Sequence, residues 1–322
     1  MIDGLKKSIL KTLAYFDIFN HPLTKEELFR YLLITDNSDL RIKYTDFIKQ
    51  LDGLPGEVRP WRTKSGFYFL PGQEKNVATR QARVKISEQK MKIAVRGIKK
   101  IAWVPFVRAV FVCNTIAMGV AEENSDIDVF IIVKKNRIFL ARALATLILS
   151  LFRIRRTKNK INNRICLSFY VADDQLNLEK VGIKDDVYLI YWLNNLIPVY
   201  DPEGLHKSVV KANKWVERYL INSLQLFVTS RQWKVDNGKV GKFFKKILEK
   251  VWGAKYGDLI EAQAKGAQLA KMKMNYNSAQ NIPDTRVIVS DSMLKFHEND
   301  RREEYREKWL EKCREISNSP NF

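Results

Sequence analysis

Cysteine and histidine are scarce in this chain, three of each among 322 residues, and they are dispersed. Cys113, Cys166 and Cys313 form no CxxC spacing, and His21, His206 and His297 are equally scattered. That argues against a zinc finger and against a disulfide framework. Cys113 and Cys166 lie in apolar, strand-like runs, where a free thiol packs as a small apolar group. A reducing, cytoplasmic compartment is therefore expected. Long apolar runs are also missing. The most apolar stretch, Ile138–Phe152, is shorter than the ~20 residues that span a bilayer. Arg142 interrupts it, so a helix packed on a sheet is the expectation. Asp3 and the lack of an uninterrupted apolar segment near the start speak against a signal peptide, and no membrane partner is expected. Acidic residues are in deficit, 36 against 56 basic ones, for a formal charge of +20. Such an excess suits an anionic partner such as nucleotide, nucleic acid or acidic protein. A solvated basic surface accounts for it equally well.

The length accommodates two or three domains. Residues 1–73 read as a small helical unit ending in a hairpin. Ile9, Leu10, Leu13 and Phe16 recur at helical spacing, and Thr24-Lys-Glu-Glu27 forms a capping box opening a second helix expected to run through Leu33. A third helix covers Thr45–Leu51. Val58–Leu70, turning at Ser65-Gly66, reads as a β-hairpin. Three helices and a wing resemble a winged helix-turn-helix module. Residues 74–103 form a basic helical connector, in which Lys75, Arg80, Arg83, Lys85, Lys90, Lys92, Arg96, Lys99 and Lys100 face only Glu74 and Glu88. Residues 104–182 alternate strand and helix: Val107–Cys113, a short turn or helix, Asp126–Val133, a helix near Arg137–Phe152, and Arg164–Val171. No acidic residue occurs from Lys134 to Arg164. Residues 183–275 read as a helical C-terminal region, with Ile197–Tyr200 an extended piece. Residues 276–300 look irregular, and a charged helix, Glu303–Ile316, precedes a frayed end.

Chemistry concentrates at Asp126-Ile127-Asp128. Alternate strand residues share a face, so the two carboxylates point the same way, about 7 Å apart along a strand that rises ~3.3 Å per residue. Carboxylates so placed can share divalent cations. Ten residues separate Asp126 from Asn114-Thr115, which follows a strand-like run.

A small pair, a gap of about ten residues and then Asp-hydrophobic-Asp on a strand resembles the nucleotidyltransferases of the DNA polymerase β type. The resemblance covers about 70 residues. It implies an α/β (α+β) core with a mixed sheet, flanked here by the winged-helix-like module and the helical C-terminal region. It implies transfer of a nucleoside monophosphate from a nucleoside triphosphate to an acceptor, with magnesium, or manganese in its place, held by Asp126 and Asp128 as catalytic and metal-binding residues. Asn114, Thr115, Ser125, Lys134 and Arg137 become nucleotide-binding candidates. Asn114 and Thr115 open a short helix whose amides can receive phosphate oxygens.

Three departures qualify that pattern. Asn114 replaces the family's glycine, although Asn tolerates left-handed backbone. Thr115 replaces its serine and keeps the hydroxyl. The strand expected to carry a third carboxylate, Arg164–Val171, has Ser168 at its centre and no acid, with Asp173 and Asp174 just beyond. Two readings therefore stand. One is a metal-dependent transferase acting on a small molecule, an RNA end or a protein hydroxyl. The other is a catalytically weak or inactive relative that binds nucleic acid or a partner through its basic surface. A sugar-nucleotide transferase using Asp-x-Asp needs a much larger preceding domain.

Overall fold

The computed structural model describes residues 2–34, 42–53, 59–220, 222 and 231–318. A mixed six-stranded sheet in the order β7-β4-β5-β6-β9-β8 organises them. Its centre is β4 (Val107–Val112), β5 (Ile127–Val133) and β6 (Ile165–Ala172). β4 runs antiparallel to β5, and β5 runs parallel to β6 through the crossover helix α6 (Ile138–Leu151). β5 and β6 are almost wholly apolar, as strands covered on both faces must be.

The sheet gathers its other strands from distant segments. β7 (Ile197–Tyr200) pairs with β4. β8 (Val287–Val289) and β9 (Met293–Phe296) form an antiparallel pair that adds to β6. Residues 276–300 are thus partly strand, against the irregular reading. Both strands are three or four residues long, too short to show a two-residue period; β9 is held by ladder bonds to β6, and β8 by ladder bonds to β9.

The two faces carry separate apolar layers. Val110, Val112, Val129, Ile131 and Val133 pack under α6 and the long helix α4 (Asn76–Ile101). Phe111, Phe130, Ile132 and Phe169 face the N-terminal helices, α7 (Val187–Asn194) and Trp309 of α11 (Arg302–Ser317). The N-terminal unit consists of α1 (Ile2–Asp17), α2 (Lys25–Arg30), α3 (Tyr44–Asp52) and a small sheet in which β3 (Phe67–Phe69) lies between β1 (Leu23–Thr24) and β2 (Arg62–Lys64). Its capping box forms as expected: Glu27 N–H donates to Thr24 Oγ1 at 3.3 Å and Thr24 N–H to Glu27 Oε2 at 2.9 Å. The hairpin is shorter than expected, and Val58 and the end beyond Asn318 lie outside the described residues. α2 stops at Arg30 rather than Leu33, because Leu33 N–H turns to the buried Thr12 hydroxyl at 2.9 Å.

α8 (Leu205–Ala212), α9 (Gly238–Val251) and α10 (Lys255–Lys273) complete the helices used below. No helix among the described residues is long and apolar enough to cross a membrane.

Candidate metal centre

Asp128 lies within β5 and Asp126 immediately precedes it, both half-buried. The parallel register sets Asp128 opposite Cys166 of β6. Ligating atoms of Asp126, Asp128 and Cys166 all lie within 4.8 Å of one another. Among the described residues no third carboxylate joins them. The position opposite Asp128 thus belongs to Cys166, not Ser168. A register shift between Asp128 and Phe130 marks a bulge in β6, and such an irregularity re-aims the side chains beyond it. Ser168 turns instead to His297, with Oγ 3.2 Å from Nε2.

Asn114 begins the four-residue helix α5 (Asn114–Ala117) with φ +54°, the left-handed backbone that a glycine would adopt freely. Its Oδ1 accepts hydrogen bonds from Trp192 Nε1 at 2.7 Å and Tyr188 Oη at 3.3 Å. With its oxygen engaged on α7, the Asn114 side chain favours the ionised form of Asp128. Burial, and then the charge of Asp126, outweigh that help and raise the Asp128 pKa to about 6.

Arg156 completes the cluster. Its Nε lies 3.0 Å from Asp126 Oδ2 and its Nη1 3.5 Å from Cys166 Sγ. The basic loop after α6 is therefore ordered at this point: Arg156 N–H bonds Ile165 O, and Arg155 bridges to Ile165. Burial, followed by the charge of Asp128, pushes the Cys166 thiol up to about 12.

These groups open into a cavity of about 520 Å³. Thr115 of α5, Ser168 of β6 and Trp192 of α7 line it, together with His297 after β9, Arg301, and Arg302 and Tyr305 of α11. Tyr188 and Tyr305 stack at 5.4 Å. The cationic wall is internally paired. Lys295 and Arg302 hold Asp300 at 2.9 and 2.8 Å, and Arg302 also reaches Asp186 at 3.0 Å. Burial opposes ionisation of Asp300, but bonds from Arg302 and the charge of Lys295 prevail and bring it to about 2. Burial, then the Lys295 charge, lower His297 to about 3, so the imidazole is neutral at physiological pH.

Of the expected site residues, Asn114, Thr115, Asp126 and Asp128 meet at one cavity. Ser125 is adjacent in the chain but serves the turn, its Oγ accepting from Glu122 N–H at 3.0 Å. Lys90 fixes that turn from α4, donating to the carbonyls of Glu123 and Ser125 at 2.8 and 2.7 Å and to Asn163 Oδ1 at 2.9 Å. Lys134 and Arg137 do not join the site. Six residues of strand carry Lys134 about 20 Å from Asp128. Arg137 is buried at that far end, bonding the carbonyls of Trp252 and Gly253 and pairing with Asp258 at 2.7 Å. Asp173 and Asp174 lie at the same distant end, engaged with Lys135. Several connector cations are also structural: Arg80 pairs with Glu27, Arg83 with Glu122, and Lys90 is buried. Cys166 and the β9–α11 wall were not legible as site residues; Arg155 and Arg156, in the acid-free stretch 134–164, read either as nucleotide or nucleic-acid contacts or as a mobile basic loop.

The donor set suits a divalent cation, with two carboxylates converging beside open space. A hard ion such as magnesium would use the carboxylates and water. A softer ion can add the Cys166 thiolate. Comparison with protein families, curated proteins and solved structures finds no match to this chain.

Proposed function

We propose that this protein is a metal-dependent nucleotidyltransferase, moving a nucleoside monophosphate from a nucleoside triphosphate to an acceptor. The observation that carries the reading is the Asp126/Asp128 pair on adjacent same-face positions, half-buried and open to a 520 Å³ cavity. The strand arrangement around it, β4 antiparallel and β6 parallel to β5, supports a nucleotidyltransferase-like core. Three helices with a three-stranded sheet support a winged-helix-like N-terminal module. Magnesium or manganese held by Asp126 and Asp128 would neutralise charge on a triphosphate and its leaving pyrophosphate. Asn114 orients Asp128, Arg156 balances Asp126, and Lys90 holds the turn between β4 and β5 in place. Tyr188 and Tyr305, half-buried at the cavity wall, offer aromatic surface to a base.

The test is transfer of label from α-labelled triphosphates in magnesium or manganese to candidate acceptors. Asp126→Asn is expected to lower transfer by at least about 100-fold, the scale of losing one charge-stabilising group. Transfer that survives the substitution removes this site from the account.

Cys166 opposite Asp128 favours a second reading. The family's third carboxylate serves as ligand and general base, and here that position holds a thiol. The protein would then retain the nucleotide site without strong turnover, and triphosphate would bind in a metal-dependent way with no transfer.

A further inference from the structure

Helix α9 is inverted relative to an ordinary surface helix. It docks on the protein by a polar face. Gly241 lies against the Trp103 ring, which a Cβ at that position would meet at 3.2 Å. Lys245 is buried and donates to the carbonyls of Ala102 and Val107 and to the Tyr200 hydroxyl. Glu249 accepts from Phe106 N–H at 2.6 Å and Arg108 Nη1 at 2.8 Å. The apolar residues Val240, Phe243, Phe244, Ile247 and Val251 recur at helical spacing and therefore share another face. That face is turned to solvent: Val240 is 63% exposed, Phe243 62% and Phe244 53%. Tyr256 and Leu259 of α10, also exposed, follow directly in the chain. On the other flank of the stripe stand Lys239, Lys242, Lys246 and Lys250, all exposed. Lys242 pairs with Asp236 at 3.0 Å, and the other three have no ion pair among the described residues.

We propose that α9 is a peripheral membrane-binding helix that lies on an anionic lipid surface. An apolar stripe flanked by lysines is the pattern of an interfacial helix, the rings entering the acyl boundary while the ammonium groups meet anionic headgroups. A flat partner fits better than a groove. A groove must wrap a helix, and a third of the circumference of α9 is already committed to Gly241, Lys245 and Glu249. A second copy fits poorly too, since joining two such faces sets four lysines against four. The composition suggests no membrane partner because no segment spans a bilayer; a helix lying in the surface needs none that does.

Sedimentation of the full chain with vesicles tests this. Vesicles containing phosphatidylglycerol are expected to carry the protein down, and vesicles of phosphatidylcholine alone to leave most of it in solution. The double variant Phe243→Ser/Phe244→Ser should lower binding about tenfold, and Lys246→Glu/Lys250→Glu by a similar factor. All four side chains are exposed, so circular dichroism and the melting temperature should not change. The proposal is overturned if anionic vesicles leave the wild type in solution. It is equally overturned if the phenylalanine variant binds as well as the wild type, since the +20 charge alone would then explain adsorption. Ultracentrifugation showing a dimer that the phenylalanine variant dissolves would assign the face to a second copy and also refute it.

Discussion

Asp128 shares a half-buried strand end with a second carboxylate, and its pKa rises from the ordinary aspartate range to about 6. A carboxyl group whose folded pKa is raised stabilises the fold below its unfolded pKa and loses that contribution as pH climbs through the folded value. With metal chelated, the protein should therefore become less stable between about pH 4 and pH 6 on account of this group. Asp128→Asn should flatten that part of the stability–pH curve and raise stability at neutral pH by about 1–3 kcal/mol, since one pKa unit corresponds to about 1.4 kcal/mol. Thermal melts in chelator from acid to neutral pH check it; a substitution that destabilises at neutral pH would mean that Asp128 holds the structure together. Much at this scale was readable beforehand. The same-face placement of Asp126 and Asp128 follows from the strand period, and the left-handed turn at Asn114 from the glycine it replaces. Cys166 was not readable, because its pairing with Asp128 depends on register and a bulge that no local pattern encodes. Lys134 and Arg137 misled for a related reason: proximity in sequence becomes distance along an extended strand.

Helix α11 is joined to the sheet through one buried cation. Arg302 bonds Asp300, Asp186, the Val181 carbonyl at 2.7 Å and Thr285 Oγ1 at 2.8 Å, connecting the helix start to the α7 cap and to the segment before β8. Asp186 is itself the N-cap of α7, accepting from Leu189 N–H at 2.8 Å. Replacing Arg302 with Met leaves Asp186 and Asp300 with less compensation for their burial. A loss of about 3–5 kcal/mol is expected, the usual result of removing one partner of a buried pair. Denaturant titration measures it, and a change below about 1 kcal/mol would show the network to be dispensable. The central elements were legible: α6 and β4 to β6 fall within a residue or so of the boundaries that hydrophobic runs suggest. β8 and β9 were not, since their stability comes from pairing, β9 with β6 and β8 with β9, rather than from their own composition. The wall that they and α11 build around the cavity was hidden with them.

Across the whole molecule, the positive charge divides into parts with different work. Arg80, Arg83, Lys90, Lys245, Lys295 and Arg302 are spent inside, holding turns, caps and distant segments together. Arg156 balances the carboxylate pair, and the lysines of α9 face outward beside apolar rings. A net charge read from composition cannot separate these uses, because each depends on which helix face meets the core. The central claim is narrower: Asp126 and Asp128 together hold a divalent cation that solvent can reach. Titration of the full chain with Mn²⁺, following free ion by electron paramagnetic resonance at neutral pH, tests it most directly. The account predicts saturable binding that is lost in both Asp126→Asn and Asp128→Asn and retained in Asp173→Asn, at the far end of the sheet. Binding that is absent from the wild type, or that persists when both aspartates are replaced, would contradict it.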